Sequence, residues 1–229
     1  MPYLYLLLNL GSFSIPFLYS FHPKLKFHTL WKPLFIGIAV NFIVFIPWDI
    51  LFTHYNIWGF NPDYYLGITI FNLPIEEWLF FICIPYACVF THFALLYYFP
   101  KIALQKPLST AIGFILCLIF LGIAVYNWDK WYTLINFLLG AFLMAFTLLK
   151  SPNILQQYLL TFLVMLIPFF IVNGVLTGSF IDNEVVWYNN EENLGIRLFT
   201  IPIEDSVYAF SLILIHLLII SPKAKRLNR

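Results

Sequence analysis

Seven apolar stretches, separated by short polar segments, dominate the pattern of hydrophobic and polar positions along the chain. Most are close to the roughly 20 residues that a helix needs to cross a bilayer. Because lipid cannot satisfy backbone polar groups, a helix is the expected conformation of each stretch. The stretches cover residues 3–20, 33–52, 78–98, 107–126, 131–149, 158–177 and 205–221. The pattern therefore predicts an all-α polytopic membrane protein with about seven transmembrane helices.

Composition supports the same interpretation. Of the 229 residues, 62% are hydrophobic and 10% are charged, whereas about a quarter of the residues of a soluble domain are charged. Cys83, Cys88 and Cys117 lie inside apolar stretches and form no C-x-x-C pair. We expect them to pack as small hydrophobic side chains and not to bind metal or form disulfides. No basic segment precedes the first stretch, so we expect a span there and not a removable signal peptide.

Charge predicts the orientation of the helices. With seven spans, ten of the twelve basic residues fall on one side of the membrane, which should be cytoplasmic. We therefore expect a multi-pass protein of the cell inner (plasma) membrane, with its N-terminus outside and its C-terminus in the cytoplasm. The ten residues are Lys24, Lys26, Lys32, Lys101, Lys106, Lys150, Lys223, Lys225, Arg226 and Arg229. Lys130 and Arg197 fall on the other side, as do all the acidic residues.

The chain contains an internal repeat. Residues 66–77 (LGITIFNLPIEE) and 194–205 (LGIRLFTIPIED) are identical at seven of twelve positions, which indicates a duplication. Upstream, Trp58 is expected to correspond to Trp187, and Asn61 to Asn190 or Asn189. Asp49 is expected to correspond to Asn173. We predict a first three-helix repeat over residues 1–104, a connecting transmembrane helix over 105–128 and a second three-helix repeat over 129–229.

An offset of four spans makes the two repeats parallel, related by a pseudo-twofold axis along the membrane normal. Both acidic motifs should therefore open a helix on the same side of the membrane and face one cavity. Pro74 and Pro202 suit the first helical turn, where the missing N–H is not needed. The acids that follow each proline then lie at the positive end of the helix dipole. These acids are Glu76, Glu77, Glu204 and Asp205.

Two interpretations of these four acids remain open. In the first, the acids only stabilise the starts of their helices; in the second, they form a buried acid site, because ionisable groups near the membrane interior are usually functional. Neighbouring residues on a helix point about 100° apart, so one acid of each pair should face the cavity. Glu76 and Glu204 are identical in the two copies and are the preferred cavity-facing acids. Glu77 and Asp205 are expected to hold or relay the proton.

The motifs WGFNPDYYLGITIFNLPIEEWLFF and WYNNEENLGIRLFTIPIEDSVYAF resemble those of the lycopene cyclase domain family. That family includes heterodimeric bacterial enzymes and the cyclase part of fungal bifunctional proteins, and each half of this chain resembles one subunit. The resemblance implies a lycopene beta-cyclase of the intramolecular lyase or isomerase type. Protonation of a polyene end, ring closure and loss of another proton would form a β-ionone ring, with no net redox change, no metal and no cofactor. Glu76, Glu77, Glu204 and Asp205 would be catalytic.

The resemblance also implies the partners. Lycopene would arrive from the bilayer, membrane lipid would surround the protein, and other carotenoid-pathway enzymes are further candidate partners, whereas nucleic acid is not expected. Aromatic faces near the motifs could stabilise a carbocation, although Trp and Tyr also collect at membrane interfaces for other reasons. The residues expected to bind substrate are Asp49, Trp58, Asn61, Trp78, Phe80, Asn173, Trp187, Asn190, Arg197 and Tyr208.

Two other classes of protein fit the same pattern. Central carboxylates in a repeated membrane fold also suit a small transporter or proton-coupled carrier, and a carotenoid-binding protein could keep the fold without turnover. A flavin-dependent cyclase would need a G-x-G-x-x-G sequence, which is missing from the chain. The histidines are scattered and do not form the cluster that a di-iron enzyme requires.

Overall fold

Seven α-helices form the described part of the protein. The computed structural model describes residues 1–227, with side chains described as far as Ser221. Six of the helices are long and apolar enough to cross a membrane, and α1 is a shorter apolar helix of 16 residues. The helices are α1 (Leu4–Tyr19), α2 (Trp31–His54), α3 (Ile75–Tyr98), α4 (Lys106–Tyr126), α5 (Trp131–Lys150), α6 (Asn153–Leu176) and α7 (Ile203–Leu227). The predicted all-α polytopic membrane fold is confirmed.

Short strands lie in the loops at one end of the bundle. They are β1 (Trp58–Phe60), β2 (Thr69–Ile70), β3 (Leu73–Pro74), β4 (Val186–Tyr188), β5 (Arg197–Leu198) and β6 (Ile201–Pro202). The pairs β2–β3 and β5–β6 are antiparallel hairpins that lead directly into α3 and α7. Strand β1 pairs with β4, which joins the loops of the two halves. The N-terminal amine lies at the same end, because it donates a hydrogen bond to the Asp63 carbonyl oxygen at 3.1 Å.

The two hairpins repeat one backbone conformation. Gly67 and Gly195 both have a left-handed φ, of 79° and 69°. The amide of Ile75 donates to the Ile68 carbonyl at 2.9 Å, and the amide of Ile203 donates to the Ile196 carbonyl at 3.0 Å. Turns of this kind favour glycine because it has no Cβ to clash with the backbone.

Two of the predicted correspondences need correction or refinement. Strands β1 and β4 occupy the same place in the two halves, so the central residues of the two strands correspond to each other. The central pair of the ladder joins Gly59 to Trp187, and Trp187 therefore corresponds to Gly59 and not to Trp58. Asn189 is the counterpart of Asn61, because each side-chain oxygen accepts a hydrogen bond from the amide two residues later, at 3.0 and 3.1 Å. The cause is the longer loop that precedes β4, which shifts the alignment between helix α6 and the strand.

The helices of the two halves pack across each other. Helix α1 packs on α3 and α5 on α7, while α2 packs on α7 and α3 on α6. Helix α4 packs mainly on α5 and presents apolar side chains to the outside. Exposed apolar side chains on a helix of this length fit a lipid-facing surface. Buried aromatic side chains fill the centre, among them Phe45, Trp48, Phe52, Phe81, Tyr132 and Phe137.

Candidate functional site

Glu76 and Glu204 hold the loops in front of their helices. The Oε1 atom of Glu76 accepts a hydrogen bond from the Leu66 amide at 2.8 Å, and Oε1 of Glu204 accepts one from the Leu194 amide at 2.7 Å. Both side chains are completely buried. Each carboxylate therefore closes a loop of ten residues that contains one of the hairpins.

The same two residues also fix the first helix of each half. The side-chain amide of Asn9 on α1 donates to the backbone oxygen of Glu76 at 2.8 Å. The side-chain amide of Asn136 on α5 donates to the backbone oxygen of Glu204 at 2.6 Å. Both residues thus connect the loop and the first helix of their half, while the second carboxylate oxygen of each, Oε2, is buried and accepts no hydrogen bond from the described residues.

Glu77 and Asp205 are the acids that face the interior space. The Tyr5 hydroxyl donates to Oε2 of Glu77, and the Tyr132 hydroxyl donates to Oδ1 of Asp205. Both acids line the main cavity, whereas Glu76 and Glu204 do not. The preferred cavity-facing acids were therefore the wrong members of each pair. The rotation of about 100° between neighbours leaves one acid per pair inward, and the other acid of each pair bonds to the loop in front of its helix.

The two inward acids have different surroundings. Oδ2 of Asp205 also accepts hydrogen bonds from the Asn173 amide at 2.7 Å and the Tyr188 hydroxyl at 3.0 Å. Tyr5 is the hydrogen-bond donor to Glu77 among the described residues, and Oε1 of Glu77 accepts none from them. Asp49, which occupies the place of Asn173 in the first half, is buried, and its Oδ1 atom lies 3.4 Å from the Tyr208 hydroxyl. It offers a carboxyl group at that position instead of an amide donor.

Tyr188 lies in β4, outside the helices, and its hydroxyl points at Asp205. Burial, together with the nearby negative charge of Asp205, holds the pKa of Tyr188 well above its ordinary value. The hydroxyl therefore keeps its proton at neutral pH and remains a donor to the carboxylate.

An elongated cavity of about 420 Å³ extends from this acid pair between α1, α3, α6 and α7. Glu77 and Thr91 both line it, and 14 residues separate them on α3, which is about 21 Å along the helix. Away from the acids the walls are mostly apolar. Those walls include Gly11, Ile15, Pro16, Ile84, Ala87, Phe162, Met165, Phe169, Val172, Ala209 and Ile213. The shape and the lining of this cavity suit a long hydrocarbon.

Aromatic rings surround the acidic end of the cavity. The Trp58 ring meets the Tyr132 ring edge-on, with 5.0 Å between their centres. The Tyr132 and Tyr188 rings stack at 5.7 Å, and the Tyr208 ring stacks on Trp48 at 5.5 Å. Ring faces carry partial negative charge and can stabilise a cation without reacting with it.

The structure divides the predicted substrate-binding residues into two sets. Trp58, Phe80, Asn173 and Tyr208 line the cavity. Asp49 lies behind that lining, where Tyr208 places its hydroxyl 3.4 Å from Oδ1 of Asp49.

The other five residues do not line the cavity: Trp78 lies in the first turns of α3, and the remaining four belong to the loops that cover the bundle. The Trp78 indole donates to the Ile70 carbonyl, and Arg197 donates to Asn190 at 2.9 Å and to the Thr200 carbonyl at 2.7 Å. Asn61 and Trp187 also lie away from the main cavity. Nearness to the acid motifs in the sequence therefore did not distinguish residues that line the cavity from residues that do not.

Sequence reasoning missed three tyrosines that contact the acids, namely Tyr5, Tyr132 and Tyr188. A signal for two of them was present. Tyr5 and Asn9 are four residues apart, as are Tyr132 and Asn136, and both pairs lie on the first helix of their half. Among the described residues, no three His, Cys, Asp or Glu side chains are grouped so that they could hold a metal ion.

A sequence model of lycopene cyclase matches residues 2–95 and 129–221, which is most of the chain. The chain belongs to the lycopene cyclase family. The residues between the two matched segments contain α4. Both acid motifs, both Tyr–Asn pairs and the lining of the cavity lie in the parts that match this family.

Curated relatives of this lycopene cyclase family member include fungal proteins named bifunctional lycopene cyclase/phytoene synthase. The chain is 36% identical to that of Arthroderma gypseum over 77 residues, covering 30% of this chain and 13% of that protein. It is 37% identical to that of Podospora anserina over 71 residues, covering 31% of this chain and 10% of that protein. The matches thus span only a small part of the relatives' own length. No solved structure matches the chain.

Proposed function

We propose that the protein is a carotenoid cyclase that forms β-ionone rings on the ends of lycopene by acid–base catalysis. The observation that carries this proposal is the placement of Glu77 and Asp205 together at one end of a long apolar cavity. Membership of the lycopene cyclase family supports it. The names of the fungal relatives, which include lycopene cyclase, point to the same substrate.

Glu77 is the proposed acid. Its Oε1 atom accepts no hydrogen bond from the described residues, so a proton held there is free to reach a double bond in the cavity. Transfer of this proton to the end of the polyene leaves a carbocation, and the neighbouring double bond then attacks it and closes the ring. The aromatic rings around the acids stabilise the positive charge through their faces.

Asp205 is the proposed base. Three donors, from Tyr132, Asn173 and Tyr188, surround its two oxygens, an arrangement that suits a carboxylate. It removes a proton from the ring carbon next to the cation, and this step forms the ring double bond. One proton is given and one is taken, so the product is an isomer of the substrate. Return of the proton from Asp205 to Glu77 restores the starting state.

We also propose that Glu76, Glu204 and Asp49 act indirectly. Glu76 and Glu204 position the two inward acids by holding the loops and first helices. Asp49 is buried behind the cavity lining and holds the Tyr208 hydroxyl, 3.4 Å from its Oδ1 atom, at the acidic end of the cavity.

The proposed location is the plasma membrane, with the acid pair near the outer face. Charge distribution supports this orientation. Helices α1 and α6 both line the cavity, and α1 packs mainly on α3. We propose that a hydrocarbon substrate reaches the acids from the lipid between these helices.

The test is expression in a host that accumulates lycopene, followed by identification of the extracted pigments. We expect cyclic products from the wild type. Glu77→Gln and Asp205→Asn should each lower product at least about 100-fold, because a positioned acid or base typically contributes at least that much. Glu191→Gln is the control, since this exposed acid lies at the same end of the molecule but away from the cavity.

Equal amounts of each variant in the membrane fraction must be shown by immunoblotting. Unaltered lycopene in cells that contain the wild-type protein would favour a carrier or a carotenoid-binding protein. Full activity of both cavity variants would contradict the assignment of acid and base.

A further inference from the structure

The two halves of the protein share their acid site but not their cavity. The cavity lies between α1 and α3 of the first half and α6 and α7 of the second. The pseudo-twofold relation places an equivalent region between α5, α7, α2 and α3. A symmetric protein would have a second cavity there, leading to the same pair of acids.

Shared contacts define the equivalent residues of the two halves. Tyr5 and Asn9 make the same contacts in the first half as Tyr132 and Asn136, 127 residues later, make in the second. The hairpins and the acids of α3 and α7 are 128 residues apart. For α2 and α6 the buried faces coincide at a spacing of 124 residues. At that spacing the buried pairs are Leu34 and Tyr158, Gly37 and Thr161, Asn41 and Met165, and Phe52 and Leu176.

On α6, Val172 lines the cavity, and its counterpart on α2 is Trp48. The Trp48 side chain is only 7% exposed and stacks on Tyr208, with 7° between the ring planes. A small side chain in one half is thus replaced by the largest side chain in the other. The ring of Trp48 occupies space that is open next to Val172.

The change from small to large recurs on the other two long helices. Ala209 of α7 lines the cavity, and its counterpart Phe81 of α3 is fully buried and lies 6.0 Å from Phe45 between ring centres. Ala87 of α3 lines the cavity, and its counterpart Ile215 is 6% exposed. Trp48, Phe81, Phe45 and Ile215 all belong to one continuous core cluster. Packed side chains therefore fill the second region.

We propose that the protein has one hydrocarbon site, which takes one end of the substrate at a time, and that Val172 and Ala209 keep it open. The equivalent site is closed by Trp48 and Phe81, so both acids serve the same bound end. The identity of the occupant as lycopene rests on the proposed function. A substrate with two reactive ends must then leave and rebind, or turn around, before its second end can react.

The experiment measures lycopene bound to the full-length protein purified in lipid nanodiscs. We expect one lycopene per wild-type chain, from the pigment absorbance and the protein concentration. Val172→Trp introduces the side chain of the closed half, and Ala209→Phe does the same from α7. Each should reduce bound lycopene at least about tenfold, which corresponds to about 1.4 kcal/mol. Two positions are tested so that a folding defect in one leaves the other informative.

Ile171→Trp is the matched control. Ile171 is next to Val172 on α6, is 65% exposed and does not line the cavity, so this variant should bind as much lycopene as the wild type. Far-ultraviolet circular dichroism and gel filtration verify that each variant is folded.

The outcomes separate this inference from the proposed function. Two lycopene molecules per chain, no lycopene on the wild type, or undiminished binding by folded Val172→Trp and Ala209→Phe would overturn the inference. A wild-type protein that binds one lycopene, loses it in both variants and yet forms no cyclic product would overturn the proposed function alone. Cyclic product from the wild type with undiminished binding in both variants would overturn only the single site.

Discussion

At the scale of the residue, each motif contains two neighbouring acids with different surroundings. Glu76 accepts a backbone amide hydrogen bond and is fully buried, whereas Glu77 bonds to a tyrosine and lines the cavity. A single step along the helix turns the side chain by about 100°. The chemical likeness of the two acids in the sequence therefore says little about their roles.

Two substitutions of Glu76 test its role in holding the loop. Glu76→Gln keeps an oxygen that accepts the Leu66 amide, so we expect at least half of the wild-type cyclisation rate. Glu76→Ala leaves that buried amide without a partner and should lower the free energy of unfolding by about 1–3 kcal/mol. Thermal unfolding in detergent and the pigment assay measure the two effects. Loss of all product in Glu76→Gln, with normal stability, would show that Glu76 itself takes part in the chemistry.

At the scale of the element, the hairpins before α3 and α7 are fastened to the helices that carry the acids. Each hairpin is held at both ends, by a backbone hydrogen bond from the helix start and by a glutamate on the helix. A glycine in a left-handed conformation lets the chain turn in front of each hairpin. Alanine at such a position costs about 1 kcal/mol, because its Cβ approaches the backbone.

Gly67→Ala tests this role of the hairpin. Apart from Gly67 itself and its two chain neighbours, no heavy atom lies within 4 Å of a Cβ placed at Gly67, so the expected loss of about 1 kcal/mol comes from the local backbone conformation alone. Gly122→Ala is the control, because a Cβ at Gly122 also meets nothing within 4 Å but the residue lies within helix α4. There alanine should stabilise the helix by a few tenths to about 1 kcal/mol. Equal effects of the two substitutions on the unfolding temperature would argue against a strained turn.

At the scale of the whole molecule, the loops that carry the strands cover one end of the bundle, and the acid pair lies beneath them. Strands β1 and β4 connect the two halves across this cover. Lys130, at the start of α5, donates to the Asn193 carbonyl at 2.8 Å and ties a further loop to it. Most basic residues lie in loops and helix ends at the opposite end of the helix bundle. Arg229 lies outside the described residues, as do the side chains of Lys223, Lys225 and Arg226.

Labelling of single cysteines tests the proposed orientation. In intact cells, a membrane-impermeant maleimide should react with Glu191→Cys and reach Lys101→Cys only after permeabilisation, since both native side chains are exposed but lie at opposite ends. Cys83, Cys88 and Cys117 lie within helices and provide the background in the unmodified protein. The reverse labelling pattern would place the acid pair near the cytoplasm.

The sequence by itself determined the class of fold, the number of helices, the repeat and the four acids. These properties follow from local causes. A long apolar stretch can only satisfy its backbone as a helix in lipid, and a duplication remains visible as repeated letters. The correspondence of the loops was predicted less well, because an insertion before β4 hides the register that the strand pairing reveals.

Only the tertiary structure decided which acids face the cavity, which tyrosines hold them and which half is open. Tyr5 and Glu77 are 72 residues apart in the chain, and their contact depends on how α1 packs on α3. The difference between Val172 and Trp48 becomes meaningful only when the two halves are superposed around the shared site. Cavities form where side chains from distant segments fail to fill the space between helices, and that balance of volumes is a property of the packed molecule.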